Sequence, residues 1–229
     1  MKTIGLLGGM SWESTAEYYR LANELVRDQL GGLHSAKILM HSVDFAEIEA
    51  MQVEGRWDDA GALLADAAER LQRAGAELIV LCTNTMHKVA APIEAAVSVP
   101  FIHLGDTTAE AVKAAGITKV GLLGTIFTME QDFYVDRLSG HGLDVVLPGP
   151  EDRKRVSEII YDELCLGVVR DESRAFYLEA IQRLRADGAE GVILGCTEIE
   201  LLIDQSHVEL PVFPTTALHV QAAVRLALT

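Results

Sequence analysis

Short apolar runs and longer amphipathic stretches alternate along the whole of this 229-residue chain. The runs "TIGLLG" at 3–8, "AKILMHSV" at 36–43, "ELIVLC" at 77–82 and "VPFIHL" at 99–104 are rich in leucine or β-branched residues and have strand length. Between them, "WDDAGALLADAAERLQRAGA" at 57–76 carries Leu63, Leu64, Ala67 and Leu71 at helical spacing, with Gly75 placed as a C-terminal stop. "DESRAFYLEAIQRLRADGA" at 171–189 repeats that design, with Asp171 as the expected N-cap and Gly188 as the stop. Strands alternating with helices of this length predict an α/β fold with parallel sheets covered on both faces.

The pattern is written twice. "IGLLG" at 4–8 returns as "VGLLG" at 120–124, and "AGAELIVLCTNT" at 74–85 returns as "DGAEGVILGCTE" at 187–198. "VPFIHLGDTTA" at 99–109 is answered by "LPVFPTTA" at 210–217, and "LDVVLPG" is the expected counterpart of the second strand. Blocks recurring in one order indicate a duplicated unit of about 110 residues rather than a solenoid. The sequence repeats run over approximately 1–115 and 116–229. The expected lobes are 1–97 with 213–229, and 98–212. Ligands of such sheets sit beyond the carboxyl ends of the strands, so two pseudo-twofold-related lobes predict one cleft between them. No Ser/Gly-rich linker separates the lobes, which are therefore expected to pack together.

Charge narrows the function. With 34 acidic against 19 basic residues the formal charge is −15, the opposite of a nucleic-acid-binding balance. An anionic substrate would need a local positive potential against that field. No signal-like or membrane-spanning apolar run is visible, which makes the cytoplasm the expected compartment. Cys82, Cys165 and Cys196 have no metal-ligand spacing and read as free thiols. "GLLGG" lacks the dinucleotide fingerprint, and there is no Walker lysine.

The repeat pairs residues one by one at the strand ends. Leu81 aligns with Leu194, Cys82 with Gly195, Thr83 with Cys196, Asn84 with Thr197 and Thr85 with Glu198. Thr83, not Cys82, is therefore the partner of Cys196. Strand alternation sends Cys82 into the sheet packing, where a small buried thiol needs no further role. Cys165, in "YDELCLGVV", reads as packing. Cys196 lies between a strand and a helix, where backbone N–H groups and the helix dipole favour a thiolate.

"CTNTMH" and "GCTE" resemble the paired signatures of the aspartate/glutamate racemase superfamily, and "GLLGGMSWEST" resembles its N-terminal loop. The likeness spans nearly the whole chain and is greatest to bacterial racemases of broad or L-selective activity. It implies two flavodoxin-like lobes and cofactor-independent racemisation, usually by two opposed cysteines, with neither pyridoxal phosphate nor metal. Families of this kind commonly form homodimers. Here Thr83 stands in one cysteine slot, and its hydroxyl is a far weaker acid than a thiol. Cys196 is then the competent base; the resemblance implies that the cysteine of the second half takes the proton from the L-enantiomer, so exchange and turnover are expected to favour L-amino acids. Asn84, Thr85 and Thr197 are placed to donate to the α-carboxylate, with helix capping as their alternative role. Ser11 and the backbone at Gly9–Met10 could add anion-binding N–H groups. The family uses the position of Gln52 near substrate, and Thr125 aligns near the Gly9 loop. His87 either orients a catalytic group or packs; Glu198 either tunes the thiol or caps its helix. His41 and Arg56 are weaker candidates, Arg56 reading as a surface stack on Trp57. Two other functions fit the same residues: a decarboxylase or isomerase of small dicarboxylates, and a non-catalytic amino-acid-binding module.

Overall fold

The computed structural model describes all 229 residues. The first unit opens with β1 (Ile4–Gly8), α1 (Trp12–Leu30), β2 (Ile38–Ser42), α2 (Phe45–Val53) and α3 (Trp57–Arg73), followed by β3 (Leu78–Leu81), α4 (Ala90–Ala96), β4 (Phe101–Ile102) and α5 (Leu104–Ala114). The second runs through β5 (Lys119–Gly124), α6 (Ile126–Glu130), α7 (Asp132–Gly140), β6 (Asp144–Val146) and α8 (Pro150–Asp162), then α9 (Asp171–Ala186), β7 (Val192–Gly195), β8 (Val212–Pro214) and α10 (Thr215–Leu228). Each half forms a four-stranded parallel sheet, ordered β2-β1-β3-β4 and β6-β5-β7-β8.

Alternation along β1 and β3 builds both faces of the first sheet. Leu7, Ile79 and Leu81 pack on one side with Leu64, Ala67 and Leu71 of α3. Ile4, Leu6, Leu78, Val80 and Cys82 pack on the other with Tyr18, Ala22 and Val26 of α1 and Val220 and Val224 of α10. Tyr18, Ala22 and Val26 follow the spacing that keeps one helix face inward. Leu64 is fully buried, and each such side chain contributes about 2 kcal/mol over an exposed one. In the second unit, Leu123, Val192 and Leu194 pack with Val156 and Ile160 of α8 and Tyr177, Ile181 and Leu184 of α9.

Ladder register supplies an independent check on the repeat. Leu7 pairs with Leu81 in one sheet, and their counterparts Leu123 and Leu194 pair in the other. Thr83 and Cys196 therefore occupy equivalent positions, each two residues beyond that matched pair.

The chain divides into Met1–Leu104 with His219–Thr229, and Gly105–Leu218. The expected break at 97/98 moves to follow Leu104 because Phe101 and Ile102 pair with β3 in the first sheet. The return crossing moves from 212/213 to after Leu218 because β8 pairs with β7. Gly75 and Gly188 adopt φ of 105° and 96° just past α3 and α9, a conformation that suits glycine as a helix stop. Asp171 is the first residue of α9 rather than its cap; the cap is Arg170, and the Asp171 carboxylate pairs with Arg174 at 2.7 Å. No helix is long and apolar enough to cross a membrane.

Candidate active site

In the first unit the loop after β3 is tied down residue by residue. The Cys82 N–H donates to the Leu7 carbonyl at 2.9 Å, and Ser14 Oγ donates to the Cys82 carbonyl at 3.2 Å. Ser11 caps α1 by accepting from the Ser14 N–H at 3.2 Å, so the loops after β1 and β3 share one short chain of bonds. Thr83, Asn84 and Thr85 are all buried at the start of a 3-10 turn, Thr85–Val89. Met10 and Met86 share one apolar cluster with Ile48 of α2, and Gln52 of α2 donates to Met86 Sδ at 2.9 Å. Met10, Ser11, Gln52, Thr83, Asn84, Thr85 and His87 thus gather at the carboxyl edge of this sheet. Arg56 does not join them: it pairs with Glu54 and Asp59 on the surface. His41 lies on β2, half-exposed.

His87 makes two opposite bonds. Its Nδ1–H donates to the Thr83 carbonyl at 2.7 Å, while Nε2 accepts from the Leu104 N–H at 3.1 Å. A backbone N–H has only a lone pair to donate to, so the ring is neutral with its proton on Nδ1. His219 is arranged likewise: Nε2–H donates to the Ile102 carbonyl at 2.7 Å and Nδ1 accepts from the Tyr18 hydroxyl at 2.9 Å. Burial, then the neighbouring His103 and His219, hold His87 well below the usual histidine range. Burial chiefly, with His103 a smaller cause, holds His219 down to about 4. The titratable groups facing these rings are His103 and Tyr18, besides the two rings themselves.

The unfolded chain binds a proton on each ring below the ordinary value of 6.5, which the folded chain refuses. Stability present above 6.5 is therefore lost as pH falls toward about 4, with His219 alone accounting for about 3 kcal/mol. Urea unfolding at several pH values checks this. The loss should shrink in His219→Gln.

In the second unit Cys196 follows Gly195, the last residue of β7, in extended conformation with φ −157° and ψ 135°. Its half-buried Sγ donates to Glu198 Oε2 at 2.9 Å. Burial first, then the Glu198 carboxylate, raises the thiol well above its ordinary value. This corrects the expectation of a dipole-stabilised thiolate. The segment that follows is a five-residue 3-10 turn, Thr197–Leu201, with Glu198 and Glu200 in its first turn. Burial and the Glu198 charge outweigh so short a dipole. The resting site is a thiol bonded to a carboxylate.

Thr197 accepts from Thr216 Oγ1 at 3.1 Å, and Thr215 Oγ1 donates to the Leu194 carbonyl at 2.9 Å, so the start of α10 buttresses the strand end. Thr125 follows β5 and caps α6, accepting from the Thr128 N–H at 3.3 Å. Thr125, Cys196, Thr197 and Glu198 lie after β5 and β7, adjacent strands that pair through Gly124 and Gly195. Ser14, Thr216, His103 and His219 went unremarked in the sequence. For His219 the available signal was a lone imidazole on the apolar face of "ALHVQAAV".

Cys82 is fully buried, and burial pushes its thiol far up. Cys165 sits half-buried in the 3-10 turn Leu164–Leu166 against the second unit's core. Cys82→Ala should lower unfolding free energy by about 1 kcal/mol and leave α-proton exchange intact. Loss of exchange in a folded Cys82→Ala protein would place the chemistry one residue earlier than the register does. No group of three or more His, Cys, Asp or Glu side chains is gathered to hold a metal ion.

Two repeated parallel α/β units, one followed at its third strand by a thiol–carboxylate pair and the other by a hydroxyl, define the class of scaffold. The chain belongs to the Asp/Glu/hydantoin racemase family, whose model matches residues 7–223. It is an enzyme of the amino-acid racemase class. A Yersinia pestis structure, whose Asp/Glu racemase assignment is itself provisional, is 55% identical with TM-score 0.94, covering 100% of both chains. An aspartate racemase homologue from Pyrococcus horikoshii is 36% identical with TM-score 0.89, again over 100% of both chains. The broad specificity amino-acid racemase RacX of Bacillus subtilis is 22% identical over 226 residues, 93% of each chain.

Proposed function

We propose that this protein racemises aspartate and/or glutamate without a cofactor, exchanging the α-proton of the L-enantiomer faster than that of the D-enantiomer. The observation that carries the reading is the 2.9 Å bond from Cys196 Sγ to Glu198, with Thr83 at the equivalent position of the repeat. The thiol proton passes to Glu198 Oε2, and the thiolate takes the α-proton from the L-substrate. The carbanion is reprotonated from the other face by the Thr83 hydroxyl, which recovers its proton from water while Glu198 releases the one it took. Inversion needs an acid and a base on opposite faces, so the reading requires both strand ends to address one α-carbon. Asn84, Thr85 and Thr197, with Ser11 and the backbone at Met10, hold the α-carboxylate and spread its developing charge. Gln52 and Thr125 contact the rest of the substrate. The working form we propose is a cytoplasmic homodimer.

The racemase descriptions of its relatives support the reaction; the thiol–carboxylate pair at one strand end, against a hydroxyl at the other, supports its one-sidedness, and the resemblance to two-cysteine relatives supports the L hand. Both enantiomers of aspartate and glutamate, incubated in heavy water and separated on a chiral phase, test it. Deuterium at the α-carbon together with the opposite enantiomer is the expected result. Carbon dioxide release without either would make the protein a decarboxylase, and binding without exchange would make it a sensor.

A further inference from the structure

Thr83 has no thiol acidity to compensate for poor placement, so its position must be held by something. Its carbonyl receives the Nδ1–H of His87 at 2.7 Å, across the 3-10 turn that begins two residues later. That proton is on Nδ1 because Nε2 is occupied by the Leu104 N–H at 3.1 Å. Leu104 is in turn held in place: Ile102, two residues before it, gives its carbonyl to His219 Nε2–H at 2.7 Å. The His219 ring is oriented by the Tyr18 hydroxyl at 2.9 Å and lies edge-on to His87 with centroids 5.7 Å apart. His103, between the two bonded positions, packs its ring 4.7 Å from that of His87. The corner from β4 into α5 is thus clamped from two sides, and all three imidazoles are buried.

We propose that His87 is the positioning residue for Thr83, its tautomer set by the Leu104 N–H and its seat completed by His219 and Tyr18. The inference rests on Thr83 serving the second face of the α-carbon, as proposed above. Its action is confined to that face. Displacing the Thr83 hydroxyl slows reprotonation with inversion and leaves Cys196 free to exchange the α-proton with retention. A misplacement on the ångström scale is enough to cost one to two orders of magnitude in such a step.

The test compares deuterium exchange into L-aspartate with formation of D-aspartate, in the full-length protein, for four variants. Asparagine places an amide N–H where Nδ1 lies; glutamine places a carbonyl where Nε2 lies. His87→Gln should keep L-exchange while racemisation falls, raising the exchange-to-racemisation ratio about tenfold or more. His87→Asn, which retains the donor to Thr83, should bring the ratio back toward wild type, and His219→Gln should raise it less than His87→Gln does. Thr83→Val serves as the reference and should raise the ratio most. A general loss of folded protein would lower both rates together and leave the ratio where it was, which counts against the proposal. If Thr83→Val raises the ratio and His87→Gln does not, His87 is packing alone and the inference falls while the function stands. If Thr83→Val leaves the ratio unchanged, Thr83 does not serve the second face, and both fall.

Discussion

Replacement of Cys196 by alanine abolishes α-proton exchange of the L-enantiomers, by about a thousandfold or more, while the thermal unfolding transition stays close to wild type. The magnitude is that of losing a positioned acid–base group outright. The fold survives because the Cys196 side chain is only half-buried at the end of β7, whose ladder to β5 and β8 is made by backbone groups. Glu198→Gln separates the two members of the pair. It removes the proton acceptor at 2.9 Å, which slows the reaction at neutral pH. It also removes a negative charge that raises the thiol. Exchange in Glu198→Gln should therefore climb about tenfold per pH unit, until the thiol is ionised by solvent alone. Stopped exchange in Cys196→Ala with a steep alkaline limb in Glu198→Gln is the expected pair of results. Wild-type exchange in a folded Cys196→Ala protein would show that the thiol is structural.

Handedness is the second large effect. Enantiomers have equal free energy, so kcat/KM for racemisation must be the same in both directions, which corrects the expectation that turnover favours the L-enantiomer. The asymmetry belongs to α-proton exchange. L-aspartate and L-glutamate should take up deuterium at least about tenfold faster than their D-enantiomers, because a thiol–carboxylate pair faces one and a hydroxyl the other. Thr83→Cys should then raise exchange of the D-enantiomers by about a hundredfold, with L-exchange changed only a few-fold, as a thiol is far more readily ionised than a threonine hydroxyl. Racemisation should rise in both directions, since inversion passes through both faces. Equal exchange of D- and L-substrates by the unaltered protein would mean that the Thr83 hydroxyl is itself activated, and the one-sided mechanism would have to go.

Much of the scaffold was legible from side-chain periodicity. Short apolar runs located the strands, and Gly75 and Gly188, both at positive φ, ended α3 and α9. The duplicated blocks also carried the register: Leu7 and Leu81 pair as Leu123 and Leu194 do, so Thr83, not Cys82, matches Cys196. These are local properties, written in the order of residues along one strand or helix. The chemical state of the site is not local. Cys196 looked like a helix-stabilised thiolate, yet its surroundings are a short 3-10 turn, a carboxylate two residues on and the packed core of α8 and α9, which together keep it a thiol. The tautomers of His87 and His219 depend on Leu104, Ile102 and Tyr18, between 17 and 201 residues away along the chain. Burial and Coulomb energy are set by distance in space, and residues so far apart in sequence acquire that distance only when the sheet and its helices close around them.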